Sequence, residues 1–182
     1  MAATPDGVLA FWFAPGMEER WFKKDPAFDE EVRTRLLPLY EQAVAGHLDR
    51  WGESARGALA LVILLDQVPR NLFRGDPRAY ATDAKALAVT KRALQEGLDT
   101  TLRQVERMFL YLPLEHCEDL DDQELCVMLA RALDENPEWH DYAVRHRDVV
   151  ARFGRFPHRN AILGRPDTPE EQAFLKEPGS SF

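Results

Sequence analysis

The chain of 182 residues has few of the features that mark secreted or membrane-bound proteins. Its two cysteines, Cys117 and Cys126, show no metal-ligand spacing, so we expect free thiols rather than a disulfide scaffold. The longest apolar run, at residues 58–65, is far shorter than the roughly 20 residues that span a bilayer. The amino terminus lacks the basic segment and the cleavage site of a signal peptide. The sequence therefore predicts a cytoplasmic protein that does not bind a membrane.

Positive charge is also scarce, because 23 Lys and Arg residues stand against 31 Asp and Glu residues and give a net charge of -8. This balance disfavours a nucleic-acid partner. Residues 145–165 are an exception, since six arginines there face the single acid Asp148. Two interpretations stay open: the arginines pair with the protein's own carboxylates, or their planar guanidinium groups bind an anionic ligand.

The common catalytic signatures are absent as well. The sequence contains no HExxH, Walker A, GxGxxG or GxSxG motif. An HRD triplet at residues 146–148 resembles the kinase catalytic loop, but Phe153 stands where that loop needs asparagine, and no glycine-rich phosphate loop is present. The sequence therefore indicates no metal and no particular cofactor, and it leaves open whether the protein is an enzyme.

What the sequence does contain is typical of one globular domain, which we expect to span residues 1–182. Hydrophobic residues make up 45% of the chain and aromatic residues 10%. Five pairs of a capping residue and a proline predict helix starts. These pairs are Thr4-Pro5, Asp25-Pro26, Asp76-Pro77, Asn136-Pro137 and Thr168-Pro169. Their recurrence predicts an all-α fold.

Apolar periodicity predicts about eight helices in a compact array of antiparallel pairs. The segment Ser54 to Val68 is apolar on all sides, so we expect a central buried helix that ends at Pro69. A capping box of Thr168 and Glu171 predicts a short last helix. The remaining helices are expected at residues 28–44, 83–96, 100–112, 119–134 and 138–153.

Two polar stretches resemble each other, DQVPRN at residues 66–71 and RFGRFPHRN at residues 152–160. Each follows a strongly apolar helix and places Arg-Asn just after a proline. If both lie at one end of the fold, Arg70 and Arg159 can clamp an anion in a shared cavity. Asp66 would then orient a guanidinium group and His158 would exchange a proton. The alternative is an internal network that caps helix ends and fastens the chain.

A third polar stretch, LPLEHCEDLDD at residues 112–122, contains the donor types of a metal site without a recognisable spacing. Its later carboxylates fit the start of a helix, whereas Glu115 and His116 precede that start. His146 falls on an apolar helical face, where two roles stay open: a core residue or a ligand-binding residue. The candidates for proton transfer are His158, Glu115 and His116, and those for ligand binding are Asp66, Arg70, Asn71, His146, Arg155, Arg159 and Asn160.

The phrases LALVILLDQVPRNLFRG, FLYLPLEHCEDL and HRDVVARFGRFPHRNAILGR carry a resemblance to a known family. The chain is similar over nearly its whole length to the bacterial family labelled domain of unknown function 924. The resemblance implies a tetratricopeptide-like α-α superhelix, and it implies no established activity, cofactor or partner.

Two functions remain in competition. The first is a site for a small anionic or polar molecule, where hydrolytic or transfer chemistry is left open. The second is a groove for a protein partner, with the polar motifs as structural fasteners. Exposure among four aromatic residues near the amino terminus would support the groove, and burial of all four would weaken it. These residues are Trp12, Phe13, Trp21 and Phe22.

Overall fold

A computed structural model describes residues 4–181, and every regular element in that range is helical, as the sequence predicts. The α-helices are α1 (Pro5–Trp12), α2 (Pro26–Val44), α3 (Ala55–Val62), α4 (Val68–Leu72), α5 (Asp83–Gln95), α6 (Gln104–Glu115), α7 (Leu120–Arg131), α8 (Glu138–Phe153), α9 (Asn160–Leu163) and α10 (Pro169–Phe174). Short 3-10 turns lie at Met17–Glu19, Asp49–Glu53, Pro77–Tyr80, Leu98–Thr101 and Pro157–Arg159.

The helix boundaries follow from local capping. Thr4 accepts a hydrogen bond from the amide of Gly7 at the start of α1, and Thr168 and Glu171 form the predicted capping box at α10. Helix α8 ends at Gly154, whose φ of 69° is the left-handed conformation that glycine adopts without strain. These local signals account for the agreement between the predicted and observed ends of α8.

Helix α3 lies at the centre of the fold. The side chains from Ala58 to Leu65 are almost completely buried, and α3 packs against α1, α5 and α6. This confirms the prediction of a central buried helix. A helix that is apolar on every side can be stable only where neighbouring elements cover all of its faces.

The predicted end of that helix at Pro69 is wrong. The chain passes from α3 through a π-helical turn, Ile63–Gln67, directly into α4. Proline cannot donate the backbone hydrogen bond that the carbonyl of Leu65 would otherwise accept, and the hydroxyl of Thr82 donates to that carbonyl instead, at 2.5 Å. Asp66 lies fully buried within this wider turn, and the bond from Thr82 ties Leu65 to the residue that precedes α5.

The second half of the chain forms an antiparallel series in which α5 packs on α6, α6 on α7, and α7 on α8. A smaller apolar cluster of Val149, Val150 and Phe156 holds the carboxy-terminal segment against α8 through Phe153 and Phe174. The tetratricopeptide-like superhelix stays a prediction. Across residues 4–181, no helix combines the length and the apolar character needed to cross a bilayer.

Candidate functional site

A cavity of about 880 Å³ lies between α6, α7 and α8, beside the aromatic segment that follows α1. Its walls are mainly apolar and aromatic, with contributions from every one of these elements. They include Phe13, Trp21, Phe22, Met108, Leu112, Ala130, Leu133, Trp139 and Tyr142. Apolar walls of this kind around a small number of polar groups are typical of small-molecule sites.

Three of the predicted site residues, Glu115, His116 and His146, line this cavity together. Glu115 is the last residue of α6 and His116 caps it, so α6 extends three residues beyond its predicted end. The Oε1 atom of Glu115 lies 3.5 Å from Nδ1 of His146. The centroids of the His116 and His146 rings are 6.3 Å apart. We call these three side chains the polar floor of the cavity.

The protonation states of the polar floor follow from its burial. Burial, together with the charge of Asp66, raises the pKa of Glu115 to about 8. Burial lowers the pKa of His146 to about 3. The Nδ1–H group of His146 donates to the carbonyl of Tyr142 at 2.9 Å. At neutral pH Glu115 is therefore mostly protonated and His146 is neutral.

Directly behind the floor, Asp66 holds His116. The Nδ1 atom of His116 lies 2.8 Å from Oδ1 and 3.0 Å from Oδ2 of the Asp66 carboxylate. Burial alone would raise the pKa of Asp66, but the charge of Arg70 and the contact with His116 hold it well below its usual value. Burial and the charge of Arg70 lower the pKa of His116. A neutral His116 with its proton on Nδ1 satisfies the ionised Asp66.

The two arginines of the echoed motifs meet, but at Asp83 rather than at the cavity wall. Arg70 donates to both oxygens of Asp83 at 2.9 Å, and Nη1 of Arg159 lies 3.7 Å from the same carboxylate. Both guanidinium groups also stand over the ring of Tyr80. Arg159 donates to the carbonyl of His116 at 2.9 Å and so supports the floor from behind. The prediction that Arg70 and Arg159 together bind an anion stays a prediction.

The other predicted site residues contact different parts of the fold. Asn71 donates to Asp29, Arg155 to Glu171 and Asn160 to Asp167, while His158 packs against Phe156. The first of these contacts fastens α4 to α2, and the others lie within the segment that follows α8, where they hold α9 and α10 against the adjoining loops. The structure therefore does not bring these four side chains into the cavity lining.

The basic segment at residues 145–165 is neutralised largely within the protein. Five of its six arginines lie within ion-pair distance of carboxylates of the same chain: Arg147 with Glu124, Arg152 with Glu170, Arg155 with Glu171, Arg159 with Asp83 and Arg165 with Glu118. The sixth, Arg145, lies over the ring of Tyr142 at the cavity. Internal pairing is thus the better of the two interpretations for this segment.

Sequence reasoning missed Asp83, Tyr80 and the cavity walls that α6, α7 and α8 contribute. Asp83 lies in the first turn of α5, where an acidic residue is expected for helix stability alone, so no signal marked it as the shared partner of two arginines. Trp139 and Tyr142 lie on the same apolar helical face as His146, for which the sequence left a core role and a ligand-binding role open. Apolar residues that line a cavity have the same periodicity as those that fill a core.

The aromatic residues near the amino terminus divide between core and cavity. Trp12 is fully buried, whereas 66% of Phe22 is exposed. Phe13 and Trp21 are half-buried and line the cavity with Phe22. The exposure of Phe22 is the outcome that was expected to support a protein-partner groove, and the groove itself stays a prediction. Within the part of the chain that the structure describes, no group of three His, Cys, Asp or Glu side chains has the geometry to hold a metal ion.

Fold and site together define an all-α protein with an apolar cavity above a buried, uncharged polar floor. The chain belongs to the family DUF924, described as "Bacterial protein of unknown function", and the match spans residues 8–179. The predicted family resemblance is therefore confirmed. The protein of unknown function ATU0120 from Agrobacterium tumefaciens has a similar solved structure, with 41% identity and a TM-score of 0.90 over 94% of this chain and 96% of that chain. No curated protein matches the chain.

Proposed function

We propose that the protein binds a small molecule with an apolar body and an uncharged polar head, either a ketone or an alcohol. The observation that carries the proposal is the polar floor, Glu115, His116 and His146, beneath the apolar walls of a cavity of about 880 Å³. The walls would cover the apolar body of the ligand, and the floor would hydrogen-bond its head.

The charge of the floor favours an uncharged head over an anionic one. The raised pKa of Glu115 leaves its carboxyl group as a hydrogen-bond donor at neutral pH. Arg70 and Arg159 contact Asp83 and do not line the cavity. Two other arginines do line it, of which Arg103 pairs with Glu106 and Arg145 lies over the ring of Tyr142. An anion at the floor would lose its hydration close to the ionised Asp66 carboxylate, which lies directly behind His116, and this desolvation is costly.

Three ligands with the same benzyl group test the proposal: phenylacetone, 1-phenylpropan-2-ol and phenylacetate. Binding can be followed by calorimetry at pH 7. We expect the ketone and the alcohol to bind at least about tenfold more tightly than the carboxylate, a difference of about 1.4 kcal/mol. The absence of binding by all three compounds, or tightest binding by phenylacetate, would contradict the proposal.

Two variants, one within α7 and one at the residue that follows it, test whether the ligand binds inside this cavity. Ala130 lines the cavity, so Ala130→Phe places a ring inside it, whereas Ala132 is exposed and Ala132→Phe leaves the cavity unchanged. We expect Ala130→Phe to abolish ketone binding and Ala132→Phe to keep the wild-type affinity. Circular dichroism of both variants checks that the helical fold is retained.

A further inference from the structure

We propose that Glu115 and His116 form an acid–base pair that moves a proton on a carbonyl compound bound in the cavity, with Asp66 as the residue that positions His116. The substrate class is a ketone or aldehyde that carries a hydrogen on the carbon next to its carbonyl group. The inference rests on the proposed function, because it needs such a compound to bind above the polar floor.

The geometry of His116 assigns it the role of the base. Both oxygens of Asp66 lie within 3.0 Å of the Nδ1 atom of His116. That nitrogen therefore carries the ring proton and donates a hydrogen bond to the carboxylate. The lone pair of the neutral ring is then on Nε2. The ring lines the cavity, and within residues 4–181 its hydrogen bonds to Asp66 use Nδ1 alone. Nε2 is the atom left to accept a proton.

The position of Asp66 makes this arrangement rigid. Its carboxylate is fully buried in the π-helical turn and also accepts a hydrogen bond from Gln67 at 2.6 Å. Arg70 lies 3.3 Å from it and keeps it ionised. An ionised partner at Nδ1 fixes the tautomer of His116 and stabilises the imidazolium that forms when Nε2 takes up a proton.

Glu115 supplies the acid. Its side chain ends at the same floor, 3.5 Å from His146, and it is protonated at neutral pH because of its burial. Two neighbouring titratable groups whose surroundings shift them toward opposite protonation states are typical of acid–base pairs. Cys126, which also lines the cavity, does not serve as a nucleophile here, since burial raises the pKa of its thiol well above its usual value.

The proton-transfer step balances without a further reactant. Nε2 of His116 takes the proton from the carbon next to the carbonyl group, and the electron pair of that C–H bond forms a carbon–carbon double bond. The electrons of the carbonyl double bond move to oxygen, which takes the proton of the Glu115 carboxyl group. The product is an enol, and reversal of the step returns the ketone. In D₂O the carbon regains a deuteron instead.

Deuterium exchange into phenylacetone, followed by loss of its methylene proton signal in NMR spectra, measures this step directly. We expect the wild-type protein to accelerate exchange above the buffer rate, and both Glu115→Gln and His116→Gln to lower the protein-catalysed rate by at least about 100-fold, within the range of general acid–base catalysis. Glutamine keeps the size and the donor group of protonated glutamate, so Glu115→Gln should still bind the ketone. Cys117→Ser, next to the pair but outside the cavity lining, should exchange at the wild-type rate.

The calorimetric affinity of the same samples separates the two proposals. Wild-type protein that binds phenylacetone without accelerating exchange overturns the acid–base pair and leaves the binding site standing, whereas failure to bind overturns both. Long-range ¹H–¹⁵N NMR of the histidine rings gives a second readout that needs no ligand. We expect His116 with its proton on Nδ1 in the wild type and loss of that preference, together with slower exchange, in Asp66→Asn. A proton on Nε2 of wild-type His116 contradicts the assignment.

Discussion

Replacement of Glu115 by glutamine should change how the free energy of unfolding depends on pH. The pKa of Glu115 is raised from 4.5 to about 8 in the folded protein. Because the folded-state pKa is the higher one, the stabilising contribution of this group is fully present below about pH 4.5 and is lost as the pH rises through about 8. Glutamine does not titrate, so the variant lacks this loss.

The magnitude follows from the two pKa values. Between about pH 5 and pH 8, the linkage corresponds to about 3–4 kcal/mol, at 1.36 kcal/mol for each pKa unit. The wild type should therefore lose about that much stability relative to Glu115→Gln over this interval. The contributions of titrating groups that do not contact Glu115 are common to both proteins and cancel in the difference.

Urea denaturation of both proteins at several pH values across this interval measures the effect. Glu118→Gln is the matched control, since burial alone would raise the pKa of Glu118 but the hydrogen bonds from Arg165 hold it below its usual value. Glu118 is ionised throughout the interval, so its variant should differ from the wild type by a constant amount. A difference between wild type and Glu115→Gln that stays constant within about 1 kcal/mol would refute the reasoning.

Three further predictions concern the supporting fold. Leu64→Ala should lower the free energy of unfolding by roughly 2–5 kcal/mol in urea denaturation, because the side chain is fully buried; a loss below about 1 kcal/mol would contradict its central position. Arg159→Lys should lower the melting temperature in a thermal-shift assay, because an ammonium group cannot reproduce the planar stacking between two rings, whereas Arg50→Lys, at a side chain that is 91% exposed, should not. Cys117 and Cys126 should both titrate as free thiols after denaturation without reductant, and recovery of a disulfide between them would contradict this.

The fold was predictable from sequence to the extent that local signals decide it. Capping residues before prolines, and the glycine after α8, mark helix ends through interactions within a few residues. The passage of the chain through Pro69 was not predictable, because it depends on Thr82, which lies 17 residues after Leu65 and donates to the Leu65 carbonyl. No pattern within α3 indicates that this distant hydroxyl replaces the missing backbone donor.

The candidate site was likewise predictable from the sequence only in part. The sequence singled out Asp66 in the DQVPRN stretch, Glu115 and His116 just before a helix start, and His146 on an apolar helical face. These four side chains do lie together. The echo of Arg70 and Arg159 indicated a shared location, but the carboxylate that unites them stands on α5 and had an ordinary role at a helix start. The cavity itself could not be predicted, since its walls come from elements far apart in the sequence and resemble core residues.

The tryptophan indole signals provide the most direct test of the cavity as a ligand site. Of the four tryptophans, Trp21 and Trp139 line the cavity, whereas Trp51 lies outside its lining. A ¹H–¹⁵N NMR titration with phenylacetone should shift the indole N–H signals of Trp21 and Trp139 in a saturable manner and leave that of Trp51 unchanged. Saturable binding that leaves both Trp21 and Trp139 unshifted would contradict the account.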